Sequence, residues 1–231
     1  MSKKIAIIPA RGGSKRIPRK NIRLFAGKPI ISYSIQAALD SKLFDRIIVS
    51  TDDREIAQIA ESFGAEIPFF RPAELADDWS GTNVVVKHCL QWLKAEENYS
   101  ADFSCCIYAT APFLQEKYLR IGIEQLQITG KLFSFSITSF SFPIQRALRL
   151  NKDGYIEAMY PENIFIRSQD IETTYHDAGQ FYWGRSEAFI QDELVYSSLS
   201  VPVILPSYLV QDIDTEEDWH HAELMFKSLN S

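Results

Sequence analysis

Between Ile5 and Phe70, short β-branched runs alternate with helical stripes of apolar residues, and few architectures accept that order. Ile5-Ala6-Ile7-Ile8 is a continuous apolar run stopped by Pro9, which reads as a buried strand. Ile31, Ile35, Ala38 and Leu39 recur at helical spacing behind Pro29, and that helix should end near Asp40-Ser41. Arg46-Ile47-Ile48-Val49-Ser50 is a second strand. Ile56, Ile59, Ala60 and Phe63 mark a second helix closed by Gly64, and Glu66 to Phe70 a third strand. Strands joined by helices in this order form βαβ units, so an α/β fold with a mostly parallel sheet and helices on both faces is predicted. At 231 residues, one core can serve the whole chain, residues 1–231, as a single domain.

In parallel sheets, ligands bind beyond the carboxyl ends of the strands. The segment after the first strand, Pro9-Ala10-Arg11-Gly12-Gly13-Ser14-Lys15-Arg16-Ile17-Pro18-Arg19-Lys20-Asn21, lies at that edge. Arg11, Lys15, Arg16, Arg19 and Lys20 supply positive charge, while Gly12 and Gly13 let backbone N–H groups approach an anion. The alternative is a solvated basic turn, and charge placement argues against it. Acidic residues outnumber Lys and Arg by 30 to 24, yet the first acid is Asp40, with nine basic residues before it. That segregation points to one polyphosphate site and away from a nucleic-acid surface. The loop is not a Walker A loop, because Pro29 follows Gly27-Lys28 and Ile22 stands where the first glycine belongs. There is no G-x-G-x-x-G either. No apolar run approaches a membrane span, and the N-terminus lacks the long hydrophobic core of a signal peptide. Cys89, Cys105 and Cys106 form no C-x-x-C pair, so reduced thiols in a cytoplasmic protein are expected.

Two further stretches carry chemistry. Thr51-Asp52-Asp53 ends the second strand at the same edge, where an Asp is expected to cap the next helix and the segment either lines the ligand site as well or serves as a cap alone. Asp212 and Asp214, two apart in an extended segment, place both carboxylates on one face, where like charges call for a cation. Mg²⁺ (or Mn²⁺) takes one or two carboxylates plus substrate phosphates, which suits this pair. The other reading of the pair is an acidic helix entry, and Thr215-x-x-Asp218 is a capping pattern in its own right.

The run Pro9 to Lys15 with Pro18 and Lys20-Asn21, together with Val-Ser-Thr-Asp-Asp at 49–53, Arg71-Pro72 followed by Ser80-Gly81-Thr82, and Asp-x-Asp-Thr-x-x-Asp at 212–218, resembles the CMP–sialic acid synthetase family of cytidylyltransferases. The resemblance implies a Rossmann-like, GT-A-like nucleotidyltransferase sheet and transfer of CMP from CTP to an acidic nonulosonic sugar, with release of pyrophosphate. It implies that Arg11 and Lys15 hold the β- and γ-phosphates, Lys20 the α-phosphate, and Asn21 the nucleotide, with Ala10, Gly12, Gly13 and Ser14 in the binding loop. Arg71, Ser80 and Thr82 are then candidates for the cytosine and ribose, with Thr82 or Ser80 capping the following helix. Asp212 and Asp214 become the metal ligands, and Asp212 joins Lys20, Arg11 and Lys15 as catalytic candidates.

On the sugar side the chain departs from the sialic-acid members. Tyr108-Ala109-Thr110-Ala111 stands where those carry Gln-Pro-Thr-Ser, and Gln115 stands in place of Arg. This wording, with Arg167-Ser168-Gln169-Asp170 and Tyr175-His176-Asp177-Ala178-Gly179-Gln180-Phe181-Tyr182, looks most like the pseudaminic acid branch; sialic, legionaminic or Kdo-type sugars are the rivals, and a non-catalytic nucleotide-sugar binder the other class. By resemblance Tyr108, Thr110, Arg167, Gln169, His176, Gln180 and Tyr182 are sugar-binding candidates. His176 and Asp177 should not form a dyad, because neighbours on a strand point to opposite faces. Residues 140–178 hold a hairpin around Asp153-Gly154, and the resemblance implies that they form an excursion that makes a homodimer and carries Arg167 to the partner's site.

Overall fold

In this computed structural model, residues 2–76 and 81–230 are described. Strand β1 (Lys4–Pro9) leads into the basic loop, a short pair β2 (Leu24–Phe25) and β3 (Lys28–Pro29), and helix α1 (Ile31–Ser41). Then follow β4 (Arg46–Ser50), α2 (Arg54–Ser62), α3 (Thr82–Glu96), β5 (Phe103–Ile107), α4 (Glu116–Thr129) and β6 (Phe133–Ser139). A small hairpin, β7 (Leu148–Leu150) and β8 (Ile156–Ala158), precedes β9 (Tyr175–Arg185), α5 (Ser186–Ile190), β10 (Ser200–Ile204) and α6 (Glu216–Leu229). The main sheet has six strands in the order β10-β6-β9-β5-β1-β4. β1 runs parallel to both β4 and β5, with Ile7 level with Ile48 on one side and Cys106 on the other.

Within the six-stranded sheet every pairing is parallel except those of β9, which is antiparallel to β5 and β6. The reason is positional. Residues 140–174 leave β6 at its carboxyl end and stay at that edge, so β9 starts there and must run back.

Side chains of β1 alternate between two cores, as the two-residue period of a strand requires. Ala6 and Ile8 pack with Ile31, Ile35, Leu119, Ile123 and Trp219 on the face covered by α1, α4 and α6. Ile5 and Ile7 pack with Val86, Cys89, Leu90 and Phe189 on the face covered by α3 and α5. Gly184 belongs to this packing: a Cβ there would stand 2.6 Å from the Phe189 ring and 2.7 Å from that of Phe133.

Three expectations need correction. Glu66 to Phe70 is not a continuous strand but two isolated parallel bridges, Ile48 with Glu66 and Thr51 with Phe70; Pro68 between them has no N–H to give a ladder. Helix α3 is capped by Gly81 with no side-chain cap, and Thr82 is its first residue; Ser80, the other capping and nucleotide candidate, lies outside the described residues. Leu39, placed inward from its spacing, is exposed, because the buried stripe of α1 runs through Ala38 and Ser41 and leaves Leu39 to one side. The capping box of α6 forms as Thr215-x-x-Asp218 foretells, with the Asp218 carboxylate accepting the Thr215 N–H at 2.8 Å.

Candidate active site

The carboxyl edges of β1, β4 and β5 frame a cavity of about 460 Å³. The basic loop forms one wall, and local chemistry sets its course. Ala10 extends the pairing by one bond, its N–H donating to Ser50 O at 2.9 Å, and the chain then leaves the sheet. The Gly12 N–H donates to Asp52 Oδ1 at 2.9 Å. Gly12 lies so close to Asp53 that a Cβ would fall 2.7 Å from Oδ2, so only glycine fits. Arg19 adopts left-handed backbone geometry (φ 57°), which turns its guanidinium onto Asp53, Nη2 to Oδ1 at 2.9 Å. The same carboxylate caps α2, accepting the N–H groups of Glu55 and Ile56 at 3.0 Å. These bonds, led by Arg19, hold the Asp53 carboxyl down at about 2. One residue thus ties the loop to the helix behind it. Asn21, buried, braces the loop from within by donating to Arg11 O at 2.9 Å.

Within the cavity wall the structure brings together Arg11, Ser14, Lys15, Lys20, Asn21, Arg71, Thr82, Tyr108, Thr110 and Asp214, all read from the sequence as site residues. Lys20 Nζ donates to Ile213 O at 2.7 Å and reaches Asp214 Oδ1 at 3.4 Å. Arg16 meets Asp214 Oδ2 at 2.9 Å. Asp212 does not line the cavity, but it lies close enough to Asp214 and Lys20 to feel both: desolvation and then the Asp214 charge push its carboxyl up, and Lys20 pulls it back. Asp214 and the loop cations therefore share one cavity wall, with Lys20 and Arg16 in direct contact with the carboxylate and Asp212 just behind it.

Arg71 is the most unusual group here. It is 6% exposed, and its Nε and Nη2 have no hydrogen-bond partner. Asp52 comes only to 3.9 Å. Burial lowers its pKa. A buried guanidinium with idle donors costs stability unless something else receives them, and Arg71 is one of the residues lining the cavity.

Other candidates fall elsewhere. Ala10, Gly12 and Gly13 shape the loop without lining the cavity. Gln180 is buried, its amide donating to Leu209 O, which ties β9 to the turn before α6. Tyr182 stands behind Tyr108, with ring centres 5.5 Å apart. His176 is exposed at the start of β9, outside the cavity lining, with its ring 4.8 Å from that of Phe140, and no dyad with Asp177 forms. Arg167 and Gln169 sit on the excursion, where Arg167 pairs with Asp170 at 2.6 Å. Arg16, counted from the sequence only as one of the loop cations, also lines the cavity, and so do Leu75 and Val85, to which sequence reading assigned no role.

A mostly parallel sheet of this topology, with a basic loop and the Asp214 carboxylate at its carboxyl edge, is that of a nucleotidyltransferase. More narrowly, the chain belongs to the cytidylyltransferase family, which residues 5–192 match. It is 43% identical over 225 residues to a pseudaminic acid cytidylyltransferase of Campylobacter jejuni, covering 97% of each chain. It is 32% identical over 228 residues to the CMP-N,N'-diacetyllegionaminic acid synthase of Legionella pneumophila, covering 96% of each. The solved structure of a CMP:2-keto-3-deoxy-manno-octonic acid synthetase complexed with CTP superposes with a TM-score of 0.72 over 99% of this chain and all of the other; at 16% identity it speaks for the fold alone.

Proposed function

We propose that this protein transfers CMP from CTP to the anomeric hydroxyl of pseudaminic acid, releasing pyrophosphate and making the activated sugar for glycan or flagellin glycosylation. The observation that carries this reading is the cavity itself, where loop cations, Arg71 with two donors left without a hydrogen bond, and the Asp214 carboxylate converge at the sheet edge. Full-length likeness to a pseudaminic acid enzyme supports the choice of sugar over its legionaminic counterpart.

In this scheme Arg11 and Lys15 hold the leaving pyrophosphate, and Lys20 neutralises charge growing on the α-phosphate. The Arg71 guanidinium gives its idle donors to the nucleotide. The sugar enters on the Tyr108–Thr110 side, with its hydroxyl in line with the departing pyrophosphate. One carboxylate of the 212/214 pair takes the hydroxyl proton. Asp212 and Asp214 fit a divalent cation, since their mutual repulsion is eased only by Lys20 and Arg16. Among the described residues no cluster of three or more His, Cys, Asp or Glu forms, so Mg²⁺ (or Mn²⁺) would draw its other ligands from phosphate oxygens and water. Such an ion supplies charge neutralisation and a template for the phosphates.

The excursion supports a homodimer. Phe165 is 95% and Phe142 83% exposed, and Leu148, Leu150, Tyr155 and Ile156 are open beside them. Apolar surface of this kind is characteristic of an interface. Arg167 would then reach the active site of the second copy and meet a carboxylate. Phe165→Asp should yield a monomer in analytical ultracentrifugation; an unchanged sedimentation coefficient would refute the assembly. No helix among the described residues is long and apolar enough to cross a membrane, and the three cysteines are free and buried, which supports a cytoplasmic enzyme.

The decisive experiment is pyrophosphate release from purified protein with CTP and a panel of nine-carbon acidic sugars, with and without Mg²⁺. Release with pseudaminic acid, abolished by chelation and restored by the metal, is the expected result. Release only with sialic or legionaminic acid would move the sugar assignment, and CTP binding without release would leave a nucleotide-binding protein.

A further inference from the structure

Two groups of the cavity wall stand on segments far apart in the chain. Lys20 opens the short 3₁₀ turn Lys20–Ile22, and Asp214 lies just ahead of α6. They meet directly, with Lys20 Nζ donating to Ile213 O at 2.7 Å and reaching Asp214 Oδ1 at 3.4 Å. An ammonium has three donors, so this contact occupies two and leaves the third for a phosphate oxygen. The lysine stem is a flexible four-carbon chain and cannot hold that aim by itself.

Arg23 fastens the two segments together from behind. It closes the turn that Lys20 opens, and it does not line the cavity. Side chains three apart eclipse each other in a 3₁₀ turn, so Lys20 and Arg23 leave on the same side. Both land on the start of α6. Arg23 Nη1 donates to Glu216 Oε1 at 2.6 Å, and its Cζ stands 4.5 Å from the centre of the Trp219 ring. Only a planar guanidinium can lie on an indole and grip a carboxylate at once. Trp219 is itself anchored: it is buried, with its ring edge-on to that of Phe25 at 5.6 Å. At its other end the turn is tied down as one unit. The N–H groups of Ile22 and Arg23 both donate to Arg19 O at 3.0 Å, and the Arg19 guanidinium is held by Asp53 at 2.9 Å. A shift of Arg23 against α6 therefore moves Lys20 against Asp214.

We propose that Arg23 is a positioning residue for CMP transfer: by fastening the Lys20 turn to Glu216 and Trp219, it sets where the lysine stands relative to Asp214 and so aims the ammonium at the α-phosphate. The inference rests on the reading that Lys20 neutralises charge growing on that phosphate.

The test is the steady-state kinetics of pyrophosphate release, with CTP, pseudaminic acid and Mg²⁺, for wild type, Arg23→Met, Lys20→Ala and the double variant. Methionine keeps apolar cover on Trp219 but has neither the charge nor the planar fork. In Arg23→Met, kcat should fall on the order of tenfold, because a misaimed lysine loses a transition-state contact. The KM for CTP should stay within about twofold, since the grip of Arg11 and Lys15 is untouched. In the Lys20→Ala background the same substitution should change kcat by less than about twofold, because the group it aims is gone. An unchanged kcat in Arg23→Met would overturn the inference. So would losses that multiply in the double variant, or a KM for CTP that rises with the fall in kcat, the marks of a merely structural role. Should Arg23→Met fail to fold, Glu216→Gln decides alone: a lowered kcat with unchanged KM for CTP supports the proposal, and an unchanged kcat removes it. Lys20→Ala as fast as wild type, or wild type inactive with every sugar, would remove the underlying reading and this inference with it. That outcome is distinct from a slow Lys20→Ala beside a fully active Arg23→Met, which removes this inference alone.

Discussion

Asp53 performs two jobs that substitution can separate. Its carboxylate caps α2 through Glu55 and Ile56, and it anchors the phosphate loop through Arg19. Asparagine caps a helix about as well as aspartate, so Asp53→Asn removes the ion pair alone, whereas Asp53→Ala removes both. Arg19 is 38% exposed, and water screens the pair, so its loss should cost about 0.5–1 kcal/mol. Loss of the cap adds about 1 kcal/mol, for a total near 2 kcal/mol in Asp53→Ala. For a chain of 231 residues this corresponds to a melting point lower by about 4–8 °C for alanine and about 1–4 °C for asparagine. The pH dependence has a definite sign. The folded carboxyl is lowered from 3.8 to about 2, so the ion pair contributes fully above pH 3.8 and is lost as pH falls through about 2. The gap between wild type and Asp53→Asn, followed by scanning calorimetry, should therefore close on acidification. Equal melting points for wild type and Asp53→Asn at pH 7, or a gap that widens toward pH 2, would refute the reasoning. So would Asn and Ala variants of equal stability.

The remaining predictions concern the pocket and the core. Lys20→Ala should cut turnover at least about 100-fold with the melting point little changed, because the lysine's contacts lie at the pocket mouth and not in the core; wild-type turnover would sink the phosphate assignment. Arg71→Met should weaken CTP binding, read by calorimetric titration, while leaving the melting point unchanged or raising it by up to about 4 °C, because a buried guanidinium with idle donors is exchanged for an apolar chain. Gly184→Ala should destabilise the fold by roughly 1–3 kcal/mol without altering KM for CTP, since the added methyl drives into Phe133 and Phe189 far from the cavity.

Much of this protein was legible in one dimension because its signals are local. The β-branched run before Pro9, the helical stripe of α1 and the capping box of Thr215 and Asp218 each depend on neighbours within a few residues, and each forms where the sequence places it. The anion loop was legible for the same reason: its glycines and cations lie within one short stretch, and a strand must deliver them to the sheet edge. Pro68 was the local signal that the third strand would break, and it went unweighed.

Sequence by itself determined the alternating α/β order, the basic glycine-bearing loop at the sheet edge and the acid pair at 212 and 214. Tertiary structure alone decided what those groups touch. Nothing near Arg19 announces that Asp53, 34 residues on, will hold it, nor that Lys20 will meet the carbonyl of Ile213 from 193 residues away. The same holds for Gln180 and Tyr182, polar residues that look alike as sugar ligands in the sequence. One spends its amide on Leu209 and the other its hydroxyl on Asp177, because the antiparallel return of β9 turns them toward neighbouring elements and leaves the cavity wall to Tyr108. Local propensity depends on adjacent residues, whereas hydrogen-bond direction and burial depend on chain segments that only folding brings together.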